Sequence, residues 1–151
     1  MSIDTFLLAV KSTIDKVGVD MAAAQPGAPK FVDLDDATAT EEAMSKPDPV
    51  FIWEMSNFQE APKDPLYRAT FSAGVRAMND PANYGLLKMT GIISGVFRPG
   101  TFIEVKDWSD TFVSASQGRI LISKAYVNAQ GFDRAAGVRM ISIDAMVQRW
   151  L

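Results

Sequence analysis

A chain of 151 residues with 48% hydrophobic and 22% charged side chains can bury a core without disulfides and is too apolar for extended disorder, which predicts one domain over residues 1–151. A formal net charge of -3 and a pI near 4.9 argue against a hold on nucleic acid, which depends on clustered Lys and Arg. The chain has no cysteine and no histidine. That removes disulfides, thiolate chemistry, Ser-His-Asp and Cys-His catalysis and histidine-based zinc sites together.

Ile3, Phe6, Leu7, Val10, Ile14 and Val17 recur at helical spacing. They predict a first helix from Ile3 to Val17, capped by Ser2 or Asp4 and stopped at Gly18. Its apolar run is short and follows Asp4, so neither a secretory signal nor an anchor is expected. From Val19 to Asp48 the texture turns to Ala, Pro, Gly and acids, with Lys30-Phe31-Val32 as a strand-like piece and a short helical turn allowed around Glu41, Glu42 and Met44. Residues 19–48 therefore read as an extended arm or loop.

After Pro49, Phe51, Trp53 and Met55 alternate with Val50, Ile52 and Glu54, which predicts a strand. A second runs from Leu66 to about Met78, with Tyr67, Ala69, Phe71, Ala73 and Val75 on one face and Arg68, Thr70, Ser72 and Arg76 on the other. Asp80-Pro81 opens a second helix that ends before Pro99-Gly100, and its Gly91 and Gly95 suggest close approach to a sheet. Lys88 and Thr90 interrupt its apolar run, so no membrane role is expected. Three more strands follow at Thr101 to Trp108, Arg119 to Asn128 with Leu121, Ala125 and Val127 on one side, and Val138 to Val147. Ala129 to Ala136 reads as the hairpin loop between the last two. The expected fold class is α+β, a mostly antiparallel sheet with two helices packed on it and a long arm after the first helix.

Reactive constellations are scarce. No serine is followed three residues later by lysine, and the Walker and dinucleotide glycine patterns are absent. Asp33, Asp35, Asp36, Glu41 and Glu42 form the densest acidic stretch, but Thr38 stands where a calcium loop turns on glycine and Met44 where it needs glutamate. Glu54, Glu60, Glu104, Asp107 and Asp144 are the carboxylates from which a hydrolase could be assembled, and their strand positions read better as solvent-facing. No catalytic, cofactor-binding or metal-binding residue is assigned, and the chain is expected not to be an enzyme. The aromatics Trp53, Phe58, Trp108, Phe112, Phe132 and Trp150 fall near strand ends, loops or the terminus, and Phe58 and Phe132 stand among polar residues. Aromatic and arginine side chains dominate contact energy at interfaces. Arg68, Arg76, Phe58, Phe132 and Arg134 are accordingly the candidate protein-interface residues.

The leading helix, the segments VFIWEMS, LYRATFSAGVRAM and DPANYGLLKMTGIISGVF, and the closing ILISKAYVN and VRMISIDAMV together resemble the tail terminator proteins of tailed bacteriophages. The likeness covers the first helix and most of Val50 to Trp150 and lies in element order, while the 19–48 arm exceeds the family minimum. It implies a homohexameric ring in the virion, assembled in the host cytoplasm, that caps the tail tube protein and meets the head-tail connector, with the sheath as a further contact. No cofactor is implied. The alternatives are another neck, connector or baseplate component, a small-ligand-binding α+β domain, and a carboxylate-dependent hydrolase.

Overall fold

In the computed structural model, which describes residues 3–62, 65–77, 84–110, 112–113, 115–133 and 137–150, the chain runs α1 (Ile3–Ala23), β1 (Phe31–Asp33), α2 (Ala37–Met44), β2 (Val50–Glu60), β3 (Leu66–Arg76), α3 (Tyr84–Val96), β4 (Phe102–Val105), β5 (Gly118–Asp133) and β6 (Val138–Arg149). The strands form one sheet in the order β1-β2-β3-β6-β5-β4. Only β1 and β2 pair in parallel; β2/β3, β3/β6, β6/β5 and β5/β4 are antiparallel. The α+β class stands as expected. The sheet is mixed, however, and three helices are described where two were expected.

The departure lies in residues 19–48, which are not a free arm. α1 continues past Gly18 to Ala23, and Gly18 is a point of close approach: any Cβ there would collide with the Phe31 ring. Glycine weakens a helix interior, but here it lets β1 lie against α1. Phe31 in turn stacks on Trp53 at 6.3 Å between centroids. Parallel neighbours need a crossover between them, and α2 is that crossover, capped by the Asp36 carboxylate, which accepts from the Ala39 N–H at 3.0 Å.

Two apolar layers result, one on each face of the sheet. The larger contains Phe6, Val10 and Ile14 of α1, Leu86 and Ile93 of α3, and the inward residues of β2, β3, β5 and β6. The smaller lies under α2, where Ala43 meets Val32, Val50 and Ile52. Both sets of alternating residues at the start of β2 are therefore buried, as in a strand covered on both faces. α1 touches both edge strands, β1 and β4, so the sheet curls around it. At the β4 side, the buried Thr13 hydroxyl accepts from the Lys106 N–H at 3.1 Å. At the β1 side, Lys11 Nζ reaches Asp35 at 2.8 Å and Asp33 at 3.2 Å.

Strand register explains two further differences. An irregularity between Ile122 and Lys124 of β5 reverses the side-chain phase, so Ile120 and Ile122 enter the core while Leu121 faces the other way, opposite Phe102 and Met146. The expected pairing of Leu121 with Ala125 on one side fails for that reason. β5 also runs on to Asp133, with Phe132 opposite Arg139, which removes most of the expected 129–136 loop. Gly91 and Gly95 of α3 have nothing within 4 Å of where a Cβ would stand, so neither serves close packing on the sheet. The Asp80-Pro81 start of this helix lies outside the described residues. No helix among the described residues is long and apolar enough to cross a membrane.

Candidate functional site

Of the interface residues predicted from sequence, the three whose side chains are described, Arg68, Arg76 and Phe58, do not form one patch. Arg68 is exposed on the face of β3 away from the large core, between Gln59 and Met146 in register. Arg76 shares that face but is only 6% exposed. Its guanidinium lies under the end of α2 and donates to the carbonyls of Ala43 at 3.2 Å, Met44 at 3.5 Å and Lys46. The last carbonyls of a helix lack the N–H of a following turn, and a cation is favoured there; Arg76 adds a donor to the Ala43 carbonyl, which already accepts from the Lys46 N–H at 3.4 Å. Arg76 is thus a helix-capping residue with little surface left exposed. Phe58 belongs to β2, where it stacks on Tyr67 at 5.2 Å and packs against the core, so its expected place in a polar loop is corrected. Phe132 has its backbone in β5; its side chain, and Arg134 altogether, lie outside the described residues.

Most of the acidic side chains between Asp33 and Glu42 are engaged within the fold. Asp33 and Asp35 pair with Lys11, Asp36 caps α2, and Glu42 stands near Lys30 and Lys46 at 3.5 and 3.8 Å. No group of three Asp, Glu, His or Cys side chains among the described residues is placed to hold a metal. Glu54 and Glu60 are exposed, Asp144 accepts from the Thr70 hydroxyl at 3.1 Å, Glu104 lies 3.9 Å from Lys106, and Asp107 accepts from Ser109.

Among the described residues, the two ionisable groups with a resolved pKa shift both sit on α1. Burial pushes the Asp15 carboxyl up, against the opposing pull of the Trp53 indole N–H, which donates to it at 3.0 Å. Burial would lower Lys11, but hydrogen bonds to Asp35 and Asp33 outweigh it and hold the amine above its usual range. Both shifts follow from α1 docking beside β1, where Asp15 and Lys11 also share Asp33 as a neighbour.

What the fold leaves open is apolar surface. On the outer face near β4, the Arg119 guanidinium sits 4.8 Å from the Phe102 ring centroid and 5.9 Å from that of Trp150. Arg119 Nε donates to Gln148 at 3.2 Å, and the Trp150 indole N–H donates to Ser116 at 3.0 Å. Phe102 remains 57% exposed. Trp150 was legible in the sequence as a candidate anchor; Phe102 and Arg119 were not, because adjacent Phe102 and Ile103 are both apolar and their alternation does not say which one faces out.

A second surface is the β4–β5 connection, where Phe112 is 86% exposed beside the exposed Val113. Its base is fixed to α1: the Trp108 N–H donates to the Ser12 hydroxyl at 3.0 Å, and Lys16 Nζ lies 5.3 Å from the Trp108 ring. A third is a cleft of about 560 Å³ between the loop after α1, the start of β2 and the first turns of α3, lined by Pro26, Pro29, Pro49, Phe51, Met89 and Ile92 with Lys30, Lys46 and Lys88. Ala28 on its wall has φ 42, a left-handed conformation uncommon for a residue with a Cβ. No model of a known protein family matches the chain, and no curated protein matches it.

Proposed function

We propose that this protein is a structural subunit that works by associating with copies of itself and with other chains, and specifically a tail terminator that closes a phage tail tube with a ring. The single observation that carries the self-association is where large apolar side chains are left. Phe102 with Arg119 and Trp150, Phe112 with Val113, and the cleft beside α3 lie apart on one small chain, each bordered by charged or polar groups. Separated apolar patches with aromatic and arginine anchors are what protein contacts use. A ring needs two different complementary surfaces on each subunit. The terminator assignment rests further on the element order of the sequence, and the association partners it names are the tail tube protein and the connector.

Mass measurement tests the reading. Sedimentation of the purified chain, alone and with tail tubes, should give a discrete ring or a tube-bound species. A second reading, small-ligand binding by a monomer, has the cleft in its favour, since its volume falls in the range of ligand pockets. A ligand-binding monomer that ignores tubes would decide for it.

A further inference from the structure

Building on the self-association reading, we infer that the β4–β5 connection of one copy docks into the cleft beside α3 of the next, with Phe112 as the inserted side chain. Two features of opposite character stand at opposite ends of the sheet. The segment Asp107–Val113 carries Asp107 and Asp110 and no basic residue, and it leaves the β4 edge with Phe112 extended into solvent. The cleft sits at the β1/β2 end, has an apolar floor of Phe51, Met89 and Ile92, and is lined by three lysines against one carboxylate, Asp48. Glu42 stands near Lys30 and Lys46, whereas Lys88 has no ion pair among the described residues, and nor has Asp110. An apolar, acidic projection and an apolar, basic recess on one chain are complementary between copies.

The base of the projection is fixed: Ser12, Thr13 and Lys16 of α1 grip the chain at Lys106 and Trp108. One inserted ring does not make a stable interface, which needs on the order of 1,000 Å². Tyr84 at 74% exposed and Leu87 at 48% lie on the turns of α3 that also supply Gly85 and Lys88, although neither lines the cleft. Because the recess and the projection share no residue, the contact is head-to-tail, and copies related by it form a closed ring or an open filament.

The test uses the full-length chain. By sedimentation velocity, Phe112→Ser should weaken self-association about 30-fold, the effect of losing an interface anchor. Asp110→Lys and Lys88→Asp should each weaken it, and the two together should recover most of the loss. The chain has no cysteine, so mixing a Val113→Cys variant with an Asp48→Cys variant under oxidising conditions should give a disulfide-linked pair containing one of each. Undiminished association of Phe112→Ser together with no mixed disulfide would overturn the docking while leaving self-association standing. A parent chain that stays monomeric and takes up a small apolar acid in the cleft would overturn both.

Discussion

Arg68 and Arg76 occupy the same face of β3, yet only Arg68 is exposed. The alternation in the sequence places both correctly, but it does not say what covers that face, and α2 covers one end of it. The consequence is measurable by denaturant unfolding. Arg76→Ala should cost roughly 2–3 kcal/mol, because it strips a donor from the carbonyls ending α2, and Arg76→Glu should cost more by placing a carboxylate there. Arg68→Glu should stay within about 0.5 kcal/mol of the parent. A tolerated Arg76→Glu would remove the capping role. Asp15 gives a pH prediction. Its folded-state pKa is raised mainly by burial, so its contribution is greatest at low pH, where it is protonated, and is lost as pH rises through the raised value. Asp15→Asn keeps an acceptor for Trp53, so at pH 7 it should match or exceed the parent by up to about 1 kcal/mol, with the advantage shrinking in acid. Thermal melts across pH 3–8, at roughly one-unit steps through the carboxylate range, would check it.

At the scale of elements, the glycines divide into two kinds that spacing alone does not separate. Gly91→Ala and Gly95→Ala place a methyl in open space on α3 and should each stabilise by about 0.5–1 kcal/mol. Gly18→Ala drives a methyl into the Phe31 ring and should destabilise by about 1–3 kcal/mol. The reverse order of melting temperatures would contradict the packing of β1 on α1. The same positions show how far the elements were legible. α1, β3, β6 and the described part of α3 follow from periodicity, since each has a long run buried on one side, and β2 follows from its apolar, β-prone run, buried on both faces at its start. β1 has three residues, too few for a period, and its place depends on contacts with α1 and β2 that are distant in sequence. The phase of β5 is reset by an irregularity, which inverts any face assigned by counting in twos.

For the whole molecule, the candidate surfaces were legible in part. Phe112 and Trp150 stood out by type and position, but the cleft that complements Phe112 is assembled from the loop after α1, the start of β2 and α3, and no local pattern announces it. The curl of the sheet around α1 brings buried polar groups and acids into structural service, and leaves aromatic groups at separated sites on the outside. If association of such sites is the purpose of the fold, exposed apolar area should carry more of the function than any ionisable group. Removing the outer cluster with Trp150→Ser should then disturb assembly with little change in folding, within about 0.5 kcal/mol, as judged by sedimentation beside circular dichroism. Native mass spectrometry of the purified chain with and without tail tubes reaches the central claim most directly. The account predicts a discrete multiple of the 16.5 kDa subunit, six for the terminator ring, formed alone or on the tube end. A species of 16.5 kDa that persists at high concentration and leaves tube ends bare would contradict it.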